Sequence, residues 1–366
     1  MLSFQDKIQK DKKGVWRYAR FYDEFIKSEN RLSLNVENNS GTREIEVEEI
    51  NKLLKVSHLY FKREDENETG SLKERSLAYQ VSLAKQNNKK ELVISTSGNA
   101  GIAAAAYCQK AKIRLYVFIS PETEKAKIAA MQKYQPIIIK SKRAMRLANY
   151  LSAKYKIENL RPSLNDSSIE GFKSIAFEIF ENLGMVEALF TFVTSGSSLI
   201  GIGRAYQYLL KTKEVKKIPK LYAVQSGNIF SVAKEFEQSF SAREGLKTDW
   251  GVKGAGKLGT KNTRRKKEIV ELIKLSGGRG IYVGDDEVAA AGKILKSNNI
   301  FTSLEGQASL AGIMKVSEEN KFNKVVCILS GKLRKSRDEI DEDKIFRAEN
   351  FEEADGIYNK FMANQK

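Results

Sequence analysis

The strongest constraint in this chain is an alternation. Three short apolar runs, Leu92-Val93-Ile94, Leu115-Tyr116-Val117-Phe118-Ile119 and Ile137-Ile138-Ile139, alternate with longer segments of helical character after 102, over 123–133 and over 142–155. Runs that are apolar at every position suit strands buried on both faces, as in a parallel sheet covered by helices. Strand and helix in strict succession select the α/β class. The pattern resumes with a helix over 169–183, carrying Ile175, Ala176, Ile179 and Phe180 on one face, and a strand over 189–193. A strand at 221–225, a strand, turn and helix over 280–296, and a last strand, Val325-Val326-Cys327-Ile328-Leu329, complete it. The sequence therefore predicts two three-layer α/β domains with mostly parallel sheets. The expected divisions are an N-terminal arm over 1–58, a smaller α/β region over 59–168, a larger one over 169–334 and a charged C-terminal tail over 335–366.

Composition narrows the classes. With 366 residues, 41% of them hydrophobic, the chain can bury a large core. No apolar run reaches the roughly 18 residues that a membrane span needs, and the start, Met1 to Lys7, lacks the apolar stretch of a signal peptide. Cys108 and Cys327 both lie in apolar runs and read as buried free thiols of a reducing, cytoplasmic setting. One histidine, His58, and two scattered cysteines make none of the usual zinc sites, so no metal is expected. The net charge of +17 raises nucleic acid as a rival partner. The lysines are spread along the whole chain, however, and the densest run, Lys261 to Lys267, reads as the solvated start of the helix carrying Ile269, Val270, Leu272 and Ile273. Nucleic acid is therefore not the expected partner. Gly14-Val15-Trp16-Arg17-Tyr18 reads as an arm that packs on a core, and Trp250 to Thr260 as a glycine-rich loop.

Four loops carry candidate chemistry. Leu59-Tyr60-Phe61 reads as a strand, and Thr69-Gly70-Ser71-Leu72-Lys73 leads from it into a helix with Leu77, Val81 and Ala84 on one face. In the first turn Lys73 meets the positive end of the helix dipole, which disfavours its charged form. A neutral amine is what Schiff-base chemistry requires. A solvated helix start with an ordinary lysine is the competing reading. After the strand at 92–94 come Ser95-Thr96-Ser97-Gly98-Asn99, where hydroxyls and backbone N–H groups can converge on an anion and Asn99 can cap the helix that follows. A plain strand-to-helix turn is the alternative there. Thr194-Ser195-Gly196-Ser197-Ser198-Leu199 opens the next helix with a second such loop, suited to a phosphate and lacking the Gly-Lys-Ser/Thr ending of a P-loop. The last strand ends in Ser330-Gly331, which offers a hydroxyl to a ring nitrogen.

In that order these elements resemble the second fold type of pyridoxal-phosphate enzymes, the group of tryptophan synthase beta, cysteine synthase and threonine synthase. Gly14 to Tyr18, Asn67 to Arg75 and Ile169-Glu170-Gly171-Phe172-Lys173-Ser174 are most similar to the threonine synthase branch. The resemblance implies that Lys73 holds pyridoxal phosphate covalently and moves protons at the substrate carbons. It also implies that Asn99 bonds the cofactor's ring hydroxyl, that Gly196, Ser197, Ser198 and Leu199 hold its phosphate, and that Ser330 faces its ring nitrogen. Ser95, Thr96, Ser97 and Asn165 would bind an amino-acid substrate. The implied reaction converts O-phospho-L-homoserine and water to L-threonine and phosphate, in a chain that could form a homodimer as relatives often do.

The sequence also departs from that pattern. Glu68 replaces a proline, Leu72-Lys73-Glu74-Arg75 stands for Phe-Lys-Asp-Arg, and Thr194 and Ser197 stand where glycine is expected. Ser168 stands where the family has an arginine that grips the substrate phosphate, and Val36 to Thr42 is a degraded form of an acidic-glycine-threonine-proline stretch. Two rival expectations follow: a synthase, dehydratase or lyase acting on another amino acid, and a non-catalytic paralogue acting as a binding protein.

Overall fold

A computed structural model describes residues 3–22, 41–162, 164–237, 263, 265–334 and 339–363. The expected loop over 250–260 lies outside them, as does most of the stretch over 36–42. The strands are β1 (Glu44–Glu46), β2 (His58–Lys62), β3 (Glu91–Ser95), β4 (Arg114–Ile119), β5 (Ile137–Lys140), β6 (Glu158–Asn159), β7 (Ala188–Phe192), β8 (Lys220–Ser226), β9 (Gly280–Val283), β10 (Lys324–Ile328) and β11 (Ile345–Arg347). The chain divides into two compact units. Described residues within 1–22, 39–72 and 169–333 form the first, and those within 73–168 and 334–366 the second.

The first unit holds a six-stranded sheet in the order β1-β2-β10-β7-β8-β9. Only the β1–β2 pair is antiparallel. Leu59, Phe61, Phe190, Val224, Val325 and Cys327 enter one core beneath helices Asp285–Ser297 and Leu304–Ser317. The second unit holds a five-stranded parallel sheet in the order β11-β5-β4-β3-β6. Val93, Tyr116, Phe118 and Ile139 pack there with Leu147, Leu151 and Tyr358. The run Leu92-Val93-Ile94 is wholly buried, as expected of a strand covered on both faces.

Two expected divisions differ from this partition. Residue 59 is no boundary, because β2 pairs along its whole length with β10 and so belongs to the larger sheet. The expected C-terminal tail is part of the second unit. Ile345–Arg347 pairs with β5 as an edge strand, and helix Phe351–Ala363 buries Ala354 and Tyr358. Its dense charge hid it, since an edge strand needs few apolar residues and a helix lying on one face needs only a narrow stripe. At the other end, Gly14–Phe21 forms a 3-10 helix packed on helix Ser168–Leu183. Phe21 meets Phe177 at 4.6 Å between ring centroids, and both Arg17 and Tyr18 hydrogen-bond Glu181.

Candidate active site

In each sheet the chain, after three successive strands in one direction, crosses back to the other side of the first of them, and candidate loops leave the carboxyl edge beside that crossing. In the first unit the chain runs through β7, β8 and β9 and then returns to place β10 on the other side of β7. Open α/β sheets bind ligands at such a switch point. The loop after β7 is Val193 to Gly196 and the loop after β10 begins at Leu329 and Ser330. The register of Val325 opposite Ala188, and of Cys327 opposite Phe190, places the two loops side by side.

The turn at 196 is tightly specified. Gly196 takes φ 83°, a left-handed conformation that favours glycine. A Cβ there would stand 1.9 Å from Ile269 Cδ1. Helix Ser197–Lys211 starts at once, and Ile200 N–H is bonded to the Gly196 carbonyl at 3.0 Å. The N–H groups ahead of it, from Ser197 to Leu199, are the helix-start donors that have no carbonyl of their own helix to meet. Ser197, one of the non-glycine substitutions, is buried, with its hydroxyl 3.5 Å from that of Ser195. The carbonyl of Thr194, the other, accepts from Thr263 Oγ1 at 3.0 Å.

Ser330 is fixed from the side of the Thr-Gly-Ser loop. Leu72 N–H donates to its carbonyl at 3.0 Å, Lys332 N–H donates to the Gly70 carbonyl at 2.8 Å, and Ser71 bridges Gly331. Sequence reading passed over Ser226. It ends β8 in a Ser226-Gly227 pair that repeats the Ser330-Gly331 ending, and its buried Oγ has no hydrogen-bond partner among the described residues. That repeated strand-end dipeptide was the available signal.

The second unit carries the remaining candidates. Lys73 is the first residue of helix Lys73–Gln86 and is half-buried. Its neighbour Glu74 is fully buried and accepts from Tyr107 Oη at 3.2 Å. Ser95 ends β3, Thr96 N–H donates to the Phe118 carbonyl of β4, and Thr96 Oγ1 accepts from Gly98 N–H at 3.2 Å. That turn moves the cap of the next helix to Gly98, so Asn99 does not cap it and is its first residue. Asn99 Oδ1 is buried with no hydrogen-bond partner among the described residues. Gly101 lets the helix close on this loop, since a Cβ there would stand 2.6 Å from Thr96 Cγ2.

Asn165 lies in the loop after β6, where its amide staples the chain. Nδ2 donates to Glu158 at 3.0 Å, while Oδ1 accepts from the Ser167 N–H and hydroxyl at 3.0 and 2.7 Å. Ser168 Oγ donates to the Pro162 carbonyl at 2.9 Å. Burial pushes the thiols of Cys108 and Cys327 well above the usual range, and both are free. Among the described residues no cluster of histidine, cysteine or carboxylate is arranged to hold a metal, and no helix is long and apolar enough to cross a membrane.

These mostly parallel α/β sheets carry hydroxyl- and glycine-rich loops at their switch points, the places where open sheets of this class take ligands. The chain belongs to the family of pyridoxal-phosphate-dependent enzymes, whose profile matches residues 37–331. It is similar to the threonine synthase of Methanocaldococcus jannaschii, 27% identical over 339 residues, or 89% of this chain and 82% of that protein. It is likewise similar to the threonine synthase of Halalkalibacterium halodurans, 28% identical over 330 residues, or 86% of this chain and 89% of that protein. Its fold matches serine racemase from Dictyostelium discoideum at a TM-score of 0.67 and 21% identity, covering 80% of this chain and 93% of the other. The fold is thus that of fold-type II, and the cofactor of the family is pyridoxal phosphate.

Each unit holds a feature that suits part of that group. In the second, the buried amide oxygen of Asn99 has no partner among the described residues. In the first, a turn at Gly196, where a Cβ would stand 1.9 Å from Ile269 Cδ1, opens a helix start.

Proposed function

We propose that the protein is a pyridoxal-phosphate-dependent lyase of the threonine synthase type, acting on a small amino acid, with O-phospho-L-homoserine as the first substrate to test. The observation that carries this reading is the likeness to threonine synthases over more than four-fifths of their length and of this chain. When bound, pyridoxal phosphate supplies an electron sink for negative charge developing on the carbons beside the substrate amine.

In the first unit, the N–H groups of Gly196, Ser197, Ser198 and Leu199 would hold the cofactor phosphate, and Ser330 would present its hydroxyl to the ring nitrogen. A hydroxyl there leaves that nitrogen uncharged, which suits elimination and replacement chemistry. In the second unit, Lys73 would carry the cofactor on its amine and then take and return protons at the substrate carbons. Asn99 would bond the ring hydroxyl, and Ser95, Thr96 and Ser97 would orient the substrate carboxylate. Asn165 would shape the substrate side of the site through the loop it staples.

Borohydride reduction of the protein loaded with pyridoxal phosphate, followed by peptide mapping, is expected to find the pyridoxyl adduct on Lys73. Lys73→Ala should remove it and the visible absorbance band. An adduct on another lysine, or none, would refute the assignment. A second reading, action on a different amino acid, is favoured by Ser168 standing in place of the family arginine. Release of phosphate and threonine from O-phospho-L-homoserine separates the two.

A further inference from the structure

In the first unit a cavity of about 200 Å³ opens between helix Asp285–Ser297 and the chain that follows it. Ala289, Gly292, Lys293 and Lys296 line it from the helix, at the spacing of a single helix face. Gly292 lets the next helix approach, since a Cβ there would stand 2.5 Å from Gln307 Oε1. Ile300, Phe301 and Leu333 form an apolar wall. Phe301 is 51% exposed and Leu333 42%, so this wall has apolar area left to bury against a ligand.

The rim is positive. Lys293 and Lys296 are exposed, neither is ion-paired with a carboxylate among the described residues, and no carboxylate lines the cavity. The helix's own acids, Asp285, Asp286 and Glu287, lie in its first turn, where Glu287 accepts from Gly284 N–H and pairs with Lys315. An apolar wall beneath two ammonium groups suits an anion on an apolar body. The volume falls below the roughly 300–1,000 Å³ of sites for drug-sized ligands, so the guest is small. An amine on that guest would meet two like charges and no carboxylate, which selects against amino acids.

We propose that this cavity binds a small apolar monocarboxylate lacking an amine, the class of short branched acids and 2-oxo acids, as an effector of the cofactor site. The link runs through Thr302, which lines the cavity. Its hydroxyl donates to the Gly331 carbonyl at 2.9 Å, and Ser303 N–H donates to the same carbonyl at 2.7 Å. Thr302 also bridges Lys332, so the guest rests on the segment that holds the turn after Ser330. The effector role rests on the reading of Ser330 as a cofactor contact; the binding site does not.

The test is calorimetry on the full-length protein, with and without pyridoxal phosphate, using four ligands of one branched skeleton. These are 4-methylpentanoate, 4-methyl-2-oxopentanoate, L-leucine and 4-methylpentan-1-ol. Ala289→Trp, at an exposed helix position, places an indole in the cavity, and heat that survives in it is assigned to other sites. The two acids are expected to bind, and Ala289→Trp to abolish that binding. Lys293→Gln with Lys296→Gln should weaken the acids by about threefold to tenfold, the scale of two exposed charge interactions, and leave the alcohol unchanged. Saturating 4-methylpentanoate should shift the affinity for pyridoxal phosphate by about twofold or more in the wild type and not in Ala289→Trp. By linkage the cofactor should shift the acid by the same factor. No binding of either acid, equally tight cavity binding of leucine or the alcohol, or binding unchanged in both variants would overturn the proposal. An unchanged cofactor affinity at saturating acid would overturn the effector role. If the protein takes up no pyridoxal phosphate and the acids still bind through Lys293 and Lys296, the cavity site stands and the enzymatic reading fails.

Discussion

Asn99 shows how one residue's role depends on its neighbour. The sequence offered it as a helix cap, a duty that would have used its side-chain oxygen. Thr96 closes the preceding turn through Gly98 N–H instead, and the oxygen of Asn99 is left buried and unpartnered among the described residues. A buried polar atom of this kind costs stability until something meets it. Asn99→Ala is therefore expected to weaken pyridoxal phosphate binding by about tenfold or more while leaving the unliganded melting temperature unchanged or slightly raised. A spectrophotometric cofactor titration beside a thermal melt checks both. The helix start at Lys73 was legible because helix starts have a sequence signature. The hydrogen bond from Arg161 Nη1 to Ser95 Oγ was not, because nothing local distinguishes an arginine that reaches Ser95 from one in solvent.

Among the elements, the turn before helix Ser197–Lys211 is held from outside itself. Thr263 Oγ1 donates to the Thr194 carbonyl at 3.0 Å and lies 2.9 Å from Ser231 Oγ. Because a peptide is planar and trans, fixing that carbonyl also fixes the direction of the Ser195 N–H. Thr263→Val keeps the shape and removes the hydroxyl. It is expected to weaken binding of pyridoxal phosphate by about tenfold and to leave binding of pyridoxal, which has no phosphate, nearly unchanged. Thr263→Ser should restore the difference. Equal loss for both ligands would show that the hydroxyl supports the fold generally and not the turn.

The C-terminal helix Phe351–Ala363 gives a pH prediction. Asp355 accepts from Tyr150 at 2.7 Å, Lys154 at 2.5 Å and Tyr155 at 2.9 Å. Burial acts to raise its pKa, but these hydrogen bonds outweigh it and hold the carboxyl below its usual range. A depressed carboxyl stabilises the fold above the unfolded-state pKa of about 4 and loses that contribution as pH falls through the folded value. Relative to the intrinsic exchange rate at each pH, hydrogen-exchange protection of residues 351–363 should fall on going from pH 7 to acid in the wild type. Asp355→Asn should be less protected already at pH 7 and show a smaller further change.

For the molecule as a whole, the apolar runs and their spacing determined the α/β class, the parallel strands and the order of the loops, because burial on both faces leaves a continuous apolar signature that needs no partner to be read. Local sequence likewise marked the helix starts at Lys73 and after the Gly196 turn. Only the tertiary structure decided which strands neighbour one another. It alone put β10 between β2 and β7, set β6 on the far side of β3, and joined the charged segment after 339 to the second sheet. Strand order is fixed by packing between residues far apart in the chain, as in the pairing of Val325 with Ala188, and no local window contains that choice. The two switch points follow from it, and so do Ser226 at a neighbouring strand end and the contact of Arg161 with Ser95.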